Sequence, residues 1–174
     1  MSNYTPITPN TPAKVPPHVF NLRAEFLYVL AAFENGLYFL DHWDSSRMSE
    51  NPDDELLETA CCHFDIVVAF ANKSRHYSAL FPDAPNFFHE SIIALAASTE
   101  QRTFRDMLAL AKSVEGKLAD IATASGHEDK ALRPFLDKVI QLIERRAGVE
   151  VLISTTTRMI ECGGGFPKTG AALH

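Results

Sequence analysis

The sequence predicts an all-α fold. It reads as a single-domain bundle of five to six helices over residues 18–162, with a flexible Pro/Thr-rich arm at 1–17 and a loose Gly-containing tail at 163–174. Three observations predict this. Apolar residues recur at helical spacing through nearly all of the chain between arm and tail. Clusters of Asp, Ser, Asn, Pro and Gly fall between the periodic runs, where helices should stop. A length of 174 residues suits one domain that buries a large core without disulfides.

The arm carries five prolines among Thr, Asn and Ser, too little apolar surface to offset the entropy of ordering. Helix one is expected from about Val19 to Trp43. Phe20, Phe26, Leu27, Leu30, Phe33, Leu37 and Leu40 lie near a 3.6-residue period, and Tyr28, Val29, Tyr38 and Phe39 widen the stripe. A helix that is apolar on most sides is either central or faces a partner, so the bundle is expected to form around helix one. The polar run from Asp44 to Pro52 ends it.

Helix two should begin near Asp53, with Asp53, Asp54 and Glu55 at the positive end of the helix dipole. Its core face reads Leu56, Leu57, Ala60, Cys61, Phe64, Val67, Val68 and Ala71. Lys73, Arg75 and His76 are expected in its last turns, before a loop bracketed by Pro82 and Pro85. Helix three starts near Asn86 and carries Phe88, Ile92, Ile93 and Leu95. The run Ser98-Thr99-Glu100-Gln101 has the form of a capping box and is expected to open helix four. A single helix from Asn86 to Ala124 is the alternative. Helix four shows the cleanest amphipathic pattern: Phe104, Met107, Leu108, Ala111, Val114, Leu118 and Ile121, stopped by Ser125-Gly126.

Helix five covers about Glu128 to Ala147, with Pro134 in its first turn or kinking it. Leu132, Phe135, Leu136, Val139, Ile140 and Ile143 form one face. Gly148 marks a bend, and a sixth helix follows through Leu152, Ile153, Met159 and Ile160. The β-branched run ISTTT makes a strand the alternative there.

Charge and cysteine usage limit the partners. A net charge of −6 disfavours a nucleic-acid backbone, which needs a basic surface. Arg102, Arg105, Arg133, Lys138, Arg145 and Arg146 are interleaved with Asp106, Asp137 and Glu144, the pattern of a mixed charged surface. The three cysteines, Cys61, Cys62 and Cys162, form no disulfide framework and are expected as small buried hydrophobes in a reducing compartment. No secretory core and no membrane span are visible, so a soluble, cytoplasmic protein is expected. Export as an effector without a cleaved signal is the alternative that the polar, Ser/Thr/Pro-rich start suggests.

Catalytic signatures are few. No Walker loop, dinucleotide-binding glycine pattern or nucleophile elbow is present. Glu58, Cys62, His63 and Asp65, with Cys61 beside them, form the densest polar cluster. Thiolate, imidazole and carboxylate suit zinc, but Cys62 and His63 are neighbours that point about 100° apart on a helix. No metal and no cofactor are therefore expected. Arg75 and His76 are a candidate anion site, with an ordinary solvated helix end as the plainer reading. Tyr28, Tyr38, Phe39 and Trp43 on helix one are the candidate interface, because surplus exposed apolar surface usually marks one. The chain is thus expected to be a non-enzymatic binding or regulatory protein acting through a helical, aromatic-rich surface on a protein partner or a second copy. A bundle enclosing a small apolar ligand is the alternative, and an enzyme with an unfamiliar site a more distant one.

Overall fold

The computed structural model describes the backbone of residues 17–47, 53–101, 103–124 and 129–161, and the side chains of 22–47, 53–101, 103–124 and 131–149. Among these residues the chain forms five helices and no strand: α1 Pro17–Ser46, α2 Asp54–Leu80, α3 Phe87–Glu100, α4 Phe104–Ala124 and α5 Asp129–Glu161. The arm and tail expected at 1–17 and 163–174 lie outside the described residues, except for Pro17, which opens α1. Cys162 and the Gly126 stop also lie outside them. No helix among the described residues is long and apolar enough to cross a membrane.

The termini of α2, α3 and α4 follow local chemistry. Asp54 and Glu55 occupy the first turn of α2, where the helix dipole favours them. Asn86 caps α3, its side chain accepting the Phe88 N–H at 3.0 Å. The expected capping box at Ser98–Gln101 is not one. The Ser98 hydroxyl donates to the Leu95 carbonyl at 2.6 Å and Thr99 to Ala96 at 2.7 Å, so both serve the end of α3. The cap of α4 is Thr103, which accepts the Asp106 N–H at 3.1 Å while its hydroxyl donates to the Asp106 carboxylate. The break expected between helices three and four is thus present, but a few residues later.

Two expectations fail further along. Gly148 does not interrupt the helix, and the expected sixth helix or strand from Val149 to Ile160 is part of α5. A glycine in a helix interior costs about 1 kcal/mol, too little to break a helix anchored by buried Leu142, Ile143, Ala147 and Val149. Pro134 is the sixth residue of α5, so it sits inside the helix and not in its first turn, where it removes one backbone hydrogen bond.

The second correction concerns the centre. α3, not α1, is the hub: it packs against each of the other four helices, whereas α1 touches α2, α3 and α5. The reason is in the composition of α3. Nine of its residues are buried, from Phe87 and Ile92 to Ala94, Leu95 and Ala96. Phe26 and Phe33 of α1 enter the main core completely, and Phe26 packs its ring on Phe88 at 5.1 Å and Phe135 at 5.7 Å. A smaller core at the other end of α1 joins Leu40, Ala60 and Val149, with Phe39, Trp43, Leu57 and Phe64 against it. In α4, Met107, Ala111, Val114, Leu118 and Ile121 are buried as their spacing predicts, while Phe104 stays 44% exposed.

Candidate functional site

The outward face of α1 is set by the turn of the helix. Ala24, Tyr28, Ala31, Asn35, Tyr38 and His42 recur at four- and three-residue intervals, share one side, and are all exposed. Tyr28 is 54% and Tyr38 51% exposed. None of the six is a carboxylate, Lys or Arg. Three carboxylates of α1 lie instead on its flanks, each tied to a neighbouring helix. Glu25 meets Lys73 of α2 at 2.6 Å. On the other flank Glu34 pairs with Lys138, and Asp41 with Arg145 at 2.6 Å, both on α5.

The rings on this face have defined supports. Tyr28 lies 5.7 Å from Phe70, and Tyr38 lies 5.4 Å from Phe39 and 4.0 Å from the His42 ring. The His42 Nδ1 in turn lies 2.8 Å from the Tyr38 carbonyl. Of the four candidate interface residues, Tyr28 and Tyr38 stand on the open face. Phe39 and Trp43 turn toward α2 and are half-buried in the smaller core, Phe39 stacking on His63 at 5.6 Å. The Arg47 guanidinium lies 4.8 Å over the Trp43 ring.

The polar cluster of α2 does not converge. Glu58, Cys62 and Asp65 are exposed, and His63 turns away from them toward Phe39. Among the described residues no three His, Cys, Asp or Glu side chains sit together as a metal set. Cys61 and Cys62 are both exposed free thiols, which corrects their expected burial. The buried stripe of α2 is Ala60, Val67, Ala71 and Ser74, and one residue of helix rotates Cys61 about 100° from Ala60. The candidate anion site at Arg75 and His76 is partly taken. Arg75 donates to Asn72 Oδ1 at 3.0 Å and lies 3.6 Å from the Glu100 carboxylate, while His76 is exposed. Both residues stand short of the end of α2, which continues to Leu80.

A second polar group was not legible as a site. His89, Glu90 and Ser74 are 5%, 9% and 2% exposed, and they form a seam between α2, α3 and α4. His89 Nδ1 lies 3.0 Å from the Ser74 hydroxyl, and Tyr77 stacks on the imidazole at 4.2 Å. Ser78 donates to Glu90 Oε1 at 3.1 Å, and Lys117 pairs with Oε2 at 2.7 Å. Burial pushes His89 below its ordinary value; Glu25 and Glu90 oppose that shift and Lys73 adds to it. The available signal was that α3 has no polar face, so polar residues within it must be buried and partnered. Ser74 beside an imidazole has the elements of a nucleophile and base. Its near-complete burial closes it to a substrate, and the seam serves to hold three helices together.

Compared with known proteins, the chain matches no family model, no curated protein and no solved structure.

Proposed function

We propose that this is a non-enzymatic binding or regulatory protein that docks a protein partner on the outward face of α1. One observation carries the reading: two tyrosines, each more than half exposed, stand on a charge-free helical stripe bounded on both sides by intrachain ion pairs. Tyrosine offers a broad, rigid contact with a polar tip, and is enriched in interfaces where charge is depleted. The ion pairs of Glu25, Glu34 and Asp41 to Lys73, Lys138 and Arg145 draw the nearby basic groups away from any phosphate partner. Together with the net charge of −6, this favours protein over nucleic acid as the occupant.

A photo-crosslinking residue placed at Tyr38 tests the reading, with one at exposed Lys112 of α4 as control. In cells, Tyr38 should give protein adducts of discrete mass, a self-adduct included, that Lys112 does not give. Adducts absent from Tyr38, or equal from both positions, would remove the reading.

A further inference from the structure

We infer that the last turns of α2, residues 72–80, form a proton-operated latch: when His89 takes up a proton they lift from α3, while the rest of the bundle stays closed. The inference stands apart from the proposed role of α1.

The first support is the way these turns are held. Up to Ala71, α2 sends Ala60, Val67 and Ala71 into the bundle as buried apolar side chains. From Asn72 to Leu80 the one buried residue is Ser74, and Ala79, Leu80 and the following Phe81 are exposed. Among the described residues, the contacts that tie these turns to other helices run through polar groups. Lys73 pairs with Glu25 of α1 at 2.6 Å, and Arg75 lies 3.6 Å from Glu100 of α3. Ser74 meets the His89 Nδ1 at 3.0 Å, Tyr77 stacks on the imidazole at 4.2 Å, and Ser78 donates to Glu90 at 3.1 Å. An end with no buried apolar anchor opens locally before the core does.

The second support is the independence of α3 from these turns. Phe87, Ile92 and Leu95 anchor α3 in the main core, and Phe88 packs on Phe26 and Phe135. Ser74 and Tyr77 stand directly on the His89 ring, and both leave with the end of α2. The imidazole can therefore regain water without the core opening.

The charges around the ring set the direction. Burial disfavours the imidazolium; Glu25 of α1 and Glu90 of α3 oppose that shift, and Lys73 of α2 adds to it. Each carboxylate already holds a lysine, Glu25 that of Lys73 and Glu90 that of Lys117 of α4. A neutral ring thus suits the closed seam, and a charged one is better served by water. His76 lies in the same turns but is exposed. Positive charge near the C-terminal end of a helix favours the helix, so His76 works against release.

Hydrogen exchange of the full chain, with the intrinsic chemical rate at each pH divided out, tests the latch. One pH unit below 6.5, an open end whose His89 titrates freely gains about tenfold in population over a closed seam that refuses the proton. Amides of residues 76–80 should therefore lose about tenfold in protection between about pH 7.5 and about pH 5.5. Their exchange should respond weakly to about 1 M urea, because little surface opens, whereas that of Ile92–Ser98 in α3 should respond strongly. His89→Gln should remove the pH effect. Lys73→Met, at a side chain 62% exposed, leaves Glu25 free to support the charged ring and should shrink the effect even if His89→Gln fails to fold. Three results would overturn the inference. One is a wild type with no pH effect at residues 76–80. Another is exchange there that matches α3 in rate and urea response, which makes whole-bundle opening the only route. The third is a pH effect that persists at full size in either folded variant.

Discussion

Gly36 of α1 lies against the Phe64 ring of α2, and replacing it by alanine should destabilise the protein. A Cβ built there would lie 2.8 Å from Cε1, 2.9 Å from Cζ and 3.1 Å from Cδ1 of Phe64. Carbon atoms rest at about 3.5–4.0 Å, so the ring would have to retreat by roughly 0.7 Å or more. It cannot swing freely, because Phe33, fully buried, packs against it edge-on. Overpacking of this kind typically costs about 1–3 kcal/mol. Alanine returns about 1 kcal/mol in helix propensity, which leaves a net loss of about 1 kcal/mol. Gly116 and Gly148 provide the contrast, since nothing lies within 4 Å of the Cβ position at either. There the propensity term acts alone, and Gly→Ala should stabilise by about 0.5–1 kcal/mol. For a domain of this size each kcal/mol moves the melting temperature by roughly 2–4 °C. Urea and thermal unfolding, followed by far-ultraviolet dichroism, should therefore rank Gly36→Ala below wild type and the other two above it. Phe64→Leu should relieve part of the Gly36→Ala penalty in the double variant. A Gly36→Ala protein as stable as Gly116→Ala would refute the steric argument.

The buried seam yields two further expectations. Glu90→Ala removes the hydrogen bonds from Ser78 and Lys117, and should cost about 2 kcal/mol in a urea titration. An unchanged midpoint would show that the seam contributes nothing to stability. His89 gives the stability a pH dependence of known sign. Its folded value lies below 6.5, so above that pH the neutral ring is present in both states and its contribution is complete. As pH falls below 6.5, the unfolded chain binds a proton that the folded chain resists, and stability declines. The urea midpoint should fall between about pH 7.5 and about pH 5.5, and His89→Gln should flatten that slope. A slope identical in the variant would assign the effect to other groups.

Helix placement was legible where one physical signal dominated. The acidic start of α2, the Asn86 cap and the buried stripe of α4 from Met107 to Ile121 are all present. Ambiguity entered where two signals competed. Ser98 and Thr103 are both good cap residues in sequence; only the backbone bond that Ser98 makes to Leu95 separates them. Gly148 carries the same letter as a helix stop, yet the burial on its N-terminal side outweighs its propensity. Helix α1 is apolar on most of its circumference, so periodicity could not say which side meets the core. The answer came from the flanks, where Glu25, Glu34 and Asp41 reach charges brought near from α2 and α5. Of the candidate interface residues, Tyr28 and Tyr38, singled out by aromatic surplus, are exposed. Phe39 and Trp43 look equivalent in sequence but lie on the α2 side. His89 and Glu90 passed as ordinary polar residues because their partners, Ser74, Ser78 and Lys117, are remote in the chain.

The position of α3 determines how the molecule comes apart. At 14 residues it is close to the length at which an isolated helix is marginal in water. Its stability is therefore borrowed from the four helices around it, and each of them loses a packing surface if it leaves. No pair of helices can detach without stripping α3, so partial opening is disfavoured relative to complete unfolding. The amides of α3 should consequently exchange with solvent only when the whole bundle opens, on one shared timescale, while the outer turns of the longer helices fray ahead of them.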